Sequence, residues 1–148
     1  MKFVGEKDYQ HGMDTKVGVL ITNLGTPDAP TKKALRTYLK EFLSDPRVIE
    51  TPKIIWQIIL NVIILNVRPA KSAKAYATVW TDSGSPLYDI AKKQQAALAK
   101  ALPNLVVGLA MRYGNPSIES QLIKMRDQGV RKILIFPMYP QYCAATTA

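Results

Sequence analysis

Two groups of residues in this 148-residue chain have the chemistry to recognise a ligand. Arg68, Lys71 and Tyr76 precede Ser85 and follow a nearly unbroken aliphatic run from Ile54 to Val67. Cationic groups and hydroxyls at the end of an apolar surface suit a large flat hydrophobe that carries acid groups at one edge. Arg112 and Tyr113 come directly after the apolar run VVGLAM. In an extended strand they alternate, so one side chain is expected on each face as the strand leaves its sheet. A guanidinium there offers a fixed fork to a carboxylate, and a phenol offers a flat face and a hydroxyl. Plain surface solvation is an equally good account of that pair. No acid/base pair, no Ser/His/Asp set and no cluster of metal ligands stands out in the sequence.

The elements that must position these residues can be read from periodicity. KVGVLITNLG is a β-branched apolar run ended by Asn and Gly, a first strand. In TPDAPTKKALRTYLKEFLSD, Leu35, Tyr38, Leu39, Phe42 and Leu43 fall at helical spacing behind a Thr31 cap, and Asp45-Pro46 ends the helix. Ile54 to Val67 is too short to cross a bilayer and is interrupted by Gln57, Asn61 and Asn66. A core helix and a partly exposed lip, facing membrane or ligand, both remain open for it. RPAKSAKAYATVW reads as a separate helix opened by Arg68 and Pro69. In SGSPLYDIAKKQQAALAKAL, Ser85 can cap and Pro86 takes the first helical position, with Leu87, Ile90, Ala91, Gln94, Ala97 and Leu98 on one face. NLVVGLAMRY is a second strand, GNPSIESQLIKMRDQG a helix opened by Asn115 and Pro116 and closed by Gly129, and RKILIFPMY a third strand.

Strands alternating with helices predict an α/β fold of Rossmann-like type, a mainly parallel sheet flanked by helices. Ligands of such sheets sit beyond the carboxyl ends of the strands, so the loops TNLGTPDAP, MRYGNPS and PMYPQYCAATTA are expected on one rim. NLGTP lacks the further glycines of a dinucleotide fingerprint, and no phosphate loop is present. A hydrophobic share of 47% with 21% charged residues is that of a soluble globular protein. The net charge of +9 favours anionic company. Nucleic acid is not expected, because no zinc-finger, RNP or recognition-helix signature appears, and anionic lipid or a carboxylate ligand fits better. The single cysteine excludes an internal disulfide and points to a reducing, cytoplasmic compartment. Residues 1–15 read as a polar, disordered leader without the apolar core of a signal peptide, carrying a functionally silent His11.

GVLITNLGTPDAP, YLKEFLSDPRVIE, SGSPL, MRYGNPS and FPMYPQYCAATTA, in this order and spacing, resemble the amino-terminal half of ferrochelatases of proteobacterial type, from Lys16 to Ala148. The resemblance implies a longer, two-lobed protein in which residues 16–148 form one incomplete chelatase-type lobe, with a cleft between the lobes. It implies a lyase of haem biosynthesis that inserts ferrous iron, its substrate, into protoporphyrin IX to give protohaem and two protons. Position by position, Arg68, Tyr76 and Ser85 match residues that hold the porphyrin propionates. Leu24, Arg112, Tyr113 and Tyr139 match residues lining the macrocycle pocket, and Ile54 to Val67 matches an apolar lip linked to peripheral contact with the inner membrane. The family's metal-contacting and proton-accepting His and Glu belong to the other half, so no catalytic residue is expected here and the chain alone is expected to be inactive.

Cys143 stands alone, with Ala144 where a cluster ligand of some members falls, so no iron–sulfur cluster and no bound cofactor are expected. Two residues around Thr81 and Asp82 look inserted relative to some members, which blurs the match at Ser85. Self-association through an uncovered inter-lobe face is expected. Two other readings stay open: a non-catalytic tetrapyrrole- or nucleotide-binding α/β module, and an interaction protein whose apolar helix is a dimer surface.

Overall fold

Strand β1 (Lys16–Thr26) is followed by helix α1 (Lys32–Ser44), then α2 (Lys53–Ile59), a π-helical turn (Leu60–Ile64) and α3 (Leu65–Val79). Helix α4 (Pro86–Ala101), strand β2 (Val106–Gly114), helix α5 (Ile118–Asp127), strand β3 (Val130–Pro137) and the short α6 (Ala144–Thr147) complete the order. The computed structural model describes residues 10–12 and 14–147, so most of the expected polar leader lies outside the described residues. The three strands form one parallel sheet in the order β2-β1-β3. This is the expected α/β lobe, with all three carboxyl ends on one rim.

Central β1 is apolar on both faces because helices cover both. Val19 and Ile21 pack with Leu109, Met111 and Ala91 of α4 on one side, and Leu20 packs with Ala110, Val130 and Met125 of α5 on the other. Gly25 is required by backbone approach. Its φ is +109°, and a Cβ there would lie 1.8 Å from the carbonyl oxygen of Tyr113 on the neighbouring strand.

The expected break before Pro69 does not occur. α2, the π turn and α3 run on as one helix of 27 residues, Lys53–Val79. Pro69 has no N–H to offer the carbonyl of Leu65 one turn earlier, an omission that ordinarily breaks a helix. Arg36 of α1 supplies the donor from outside, its Nη1 bonding the Leu65 carbonyl and also Asn66 Oδ1 at 2.9 Å. The asparagines that look like interruptions bond back into the helix: Asn61 Nδ2 donates to the Gln57 carbonyl and Asn66 Nδ2 to the Val62 carbonyl, each at 2.7 Å. A helix of this length is long and apolar enough to cross a bilayer, unlike the shorter segment read from sequence. Its packing is that of a lobe helix, with Leu60 and Leu65 fully buried against Leu39 and Leu43 of α1. The other side is open, with Ile54, Ile58, Val62 and Val67 all more than half exposed.

Helix caps agree with sequence in part. Thr31 caps α1 by accepting from the Ala34 N–H, and Pro86 opens α4. α5 starts later than Asn115-Pro116 suggests, because the Ser117 hydroxyl accepts from the Ser120 N–H and sets the first turn. The predicted face of α4 is only half covered: Ala91 is buried, whereas Ile90, Gln94 and Ala97 are exposed. Leu134, Ile135 and Phe136 of β3 are exposed, and that stripe of α4 borders an open apolar groove with Ile21, Phe136 and Met138.

Candidate functional site

β1 and β2 end side by side, Gly25 opposite Tyr113 and Thr26 opposite Gly114, and this pairing places their loops together at the rim. The alternation expected of Arg112 and Tyr113 does not separate their tips. Arg112 Nη2 lies 3.0 Å, and the Tyr113 hydroxyl 3.1 Å, from the same oxygen, Asp45 Oδ2. Both side chains turn toward an acceptor that α1 delivers from 67 positions away in sequence. Tyr113 is buried, with Phe42 packed edge-on against its ring at 5.1 Å, and Ala145 offers its hydroxyl a second acceptor at 3.3 Å.

The electrostatics follow from these contacts. Burial alone would push the Asp45 carboxyl up. The Arg47 N–H, the Tyr113 hydroxyl and the guanidinium groups of Arg112 and Arg47 outweigh burial and hold Asp45 below the ordinary aspartate range. Burial, then the bond to the Asp45 carboxylate, pushes the Tyr113 phenol up to about 12. Tyr139 is likewise pushed to about 12 by burial, opposed by the positive field of Arg112. Its hydroxyl is buried and has no hydrogen-bond partner among the described residues. Such a group costs free energy until an acceptor arrives.

A second group lies on the other side of Gly25. Tyr76 and Ser85 line one small cavity with Gly25, Thr26, Val79, Pro86 and Leu87. Ser85 sits at the cap position of α4 but makes no capping bond. Its Oγ instead accepts from the Thr26 hydroxyl at 2.9 Å, which leaves its own proton to donate elsewhere. Burial raises the Tyr76 phenol above its ordinary value, and Trp80 packs edge-on beside it.

The structure therefore joins Arg112 with Tyr113, sets Tyr139 in their electrostatic field, and joins Tyr76 with Ser85. Arg68 is exposed on α3, about 12 Å along the helix axis from Tyr76. Among the described residues it makes no ion pair. Leu24 is half-buried near the end of β1, its N–H bonded to Asn23 Oδ1 at 2.8 Å. Asp45 and Glu41, which accepts from the Gly114 N–H at 2.9 Å, are rim residues that the sequence does not mark as such, whereas Thr26 belongs to the loop TNLGTPDAP expected there. Asp45 reads locally as a helix terminator, and no local signal ties it to β2. The exposed Cys143 thiol lies 3.2 Å from the Thr146 hydroxyl, which lowers its pKa. Among the described residues, no three His, Cys, Asp or Glu side chains are grouped to hold a metal.

Comparison with known proteins matches residues 16–148 to the family described as ferrochelatase. A ferrochelatase of Idiomarina loihiensis is 56% identical over 153 residues, covering 100% of this chain and 42% of that protein. One from Thioalkalivibrio sulfidiphilus is 58% identical over 151 residues, covering 99% and 41%. A ferrochelatase 2 of Shewanella oneidensis is 57% identical over 141 residues, covering 93% and 43%. The chain thus spans 41–43% of the length of these curated relatives. With the match running through every strand of the sheet and through the rim built on it, the chain belongs to the ferrochelatase family.

Proposed function

We propose that this chain carries the porphyrin-holding part of a ferrochelatase, the lyase that inserts ferrous iron into protoporphyrin IX to give protohaem and two protons. The observation that carries the reading is the identity of 56–58% to proteins of that name, sustained over essentially the whole chain. The geometry is suited to the task. The reaction needs a rigid apolar macrocycle held in place, its acid edge neutralised and water kept away from the ring. Leu24, Tyr113 and Tyr139 supply apolar and aromatic surface, and the Tyr139 hydroxyl, without a partner among the described residues, supplies a donor. Arg68 offers an uncommitted guanidinium, and Tyr76 and Ser85 offer hydroxyl protons, to the propionates. Arg112 already faces Asp45, so its role is that of a wall. Ferrous iron is a substrate, and no residue of this chain is assigned to the metal or to the pyrrole protons. Cys143, the only cysteine, is assigned no iron–sulfur cluster.

A saturable shift of the protoporphyrin Soret band on titration with the chain in mild detergent is the expected result, weakened about tenfold or more by Arg68→Ala. Iron insertion at an ordinary enzymatic rate by the chain alone would contradict the assignment of roles. A nucleotide-binding reading finds no support at the rim, since NLGTP there lacks the further glycines of a dinucleotide fingerprint.

The lip supports a further part of the proposal, peripheral contact with an anionic bilayer. Ile54 is 80% and Val67 70% exposed, and Lys53, Arg68, Lys71 and Lys74 stand on the same helix. Flotation with anionic vesicles should carry the chain, and Ile54→Ser with Ile58→Ser should abolish it. Equal flotation of both proteins would show that the lip is not what meets the bilayer.

A further inference from the structure

Asp45 is absent from the residues the sequence marks for a ligand, yet two of those residues converge on it. Its Oδ2 accepts from Arg112 Nη2 at 3.0 Å and from the Tyr113 hydroxyl at 3.1 Å, while its Oδ1 accepts from the Arg47 backbone N–H at 2.8 Å. The Asp45 side chain is only 11% exposed, so these bonds are shielded from competing water. One helical turn earlier on α1, Glu41 Oε2 accepts from the Gly114 backbone N–H at 2.9 Å. Two carboxylates a turn apart thus hold Arg112, Tyr113 and Gly114 in succession, at the carboxyl end of β2. A carboxylate fixed by its own turn fixes whatever is bonded to it. Arg112, on a long flexible stem, and the Tyr113 hydroxyl are therefore set before any ligand arrives.

We propose that Asp45 is a positioning residue of the porphyrin site, which holds Arg112 and the Tyr113 hydroxyl at the rim and takes up the charge of Arg112. That guanidinium then walls the macrocycle pocket and does not compete with Arg68 for a propionate. The inference rests on the porphyrin reading above. It adds a residue that never touches the ligand and sets how well two others meet it.

The test uses the 148-residue chain, protoporphyrin as the probe, and the variants Asp45→Asn, Asp45→Glu and Asp45→Asn with Arg112→Met. Asp45→Asn is expected to weaken binding about tenfold, the loss of charge-assisted bonds made by a fixed acceptor. Asp45→Glu should restore part of that loss, and adding Arg112→Met to Asp45→Asn should cost little more, because the two residues act as one unit. The melting temperature is measured alongside, since a purely structural role would lower it and leave the affinity of the folded fraction unchanged. The ring-carbon NMR resonance of Tyr113, identified by its loss in Tyr113→Phe, should move in Asp45→Asn whether or not porphyrin is present. Wild-type binding with unchanged affinity in Asp45→Asn overturns the proposal. No saturable binding by the wild type sinks the porphyrin reading. The Tyr113 resonance then decides the rest: moved in Asp45→Asn, it upholds the hold of Asp45 on Tyr113, and unmoved, it overturns that too.

Discussion

Tyr139 presents its hydroxyl to the interior with no acceptor among the described residues, and an unmet buried donor costs about 1–3 kcal/mol. Tyr139→Phe removes the donor and keeps the ring, so the ligand-free chain should gain about 1 kcal/mol in denaturant unfolding; a loss of that size would mean that the hydroxyl has a partner in solution. The same residue governs a pH window. Tyr113 and Tyr139 are each raised from 10.0 to about 12 in the folded state. Their contribution is fully present below pH 10 and is lost as pH rises from 10 to about 12, because the unfolded chain releases those protons first. Stability should fall across that alkaline window, and less steeply in Tyr139→Phe; parallel curves would contradict the burial of this phenol. Sequence marks Arg112 and Tyr113 by type and place, and Tyr139 through the resemblance to the family. It is silent on Asp45, because a hydrogen bond spanning 67 residues leaves no local trace.

The helix from Lys53 to Val79 shows how one element can contradict its own sequence. Pro69 argues for a break, and the break fails because Arg36 donates to the Leu65 carbonyl that Pro69 cannot reach. Arg36→Ala should therefore cost about 1–3 kcal/mol, leaving a buried carbonyl unpaired beside fully buried Leu65. Pro69→Ala restores the missing N–H, so Arg36→Ala should cost clearly less in that background. Equal costs in both backgrounds, measured by a double-mutant cycle, would show that Arg36 and Pro69 are uncoupled. The strands, in contrast, were legible throughout. A run such as VGVLIT between two helical patterns has one good solution, a central strand buried on both faces. The lip was legible as apolar, with a core helix and a partly exposed lip both open from sequence, since exposure depends on what other elements cover.

At the scale of the whole molecule, apolar surface remains open along β3 and α4. Leu134, Ile135 and Phe136 are 60%, 53% and 51% exposed, and the groove beside Phe136 is lined by Ile21, Leu98 and Met138. Contiguous apolar surface of this kind drives association. Sedimentation of the chain should show concentration-dependent self-association that Phe136→Ser reduces, and a strict monomer at all concentrations would contradict it. Alternating strands and helices made the architecture and the shared rim readable. The coverage of each face was not, because a helical stripe such as Leu87 to Leu98 indicates which residues seek burial and not whether a neighbour supplies it.

A porphyrin gripped at the carboxyl-end rim of this sheet would be seen in the amide NMR shifts of the chain as protoporphyrin is added. Shifts concentrated at Leu24 to Thr26, Tyr76, Ser85, Arg112 to Gly114 and Tyr139 are expected of that grip. Shifts confined to the exposed lip between Ile54 and Val67, or to the groove beside Phe136, would contradict it.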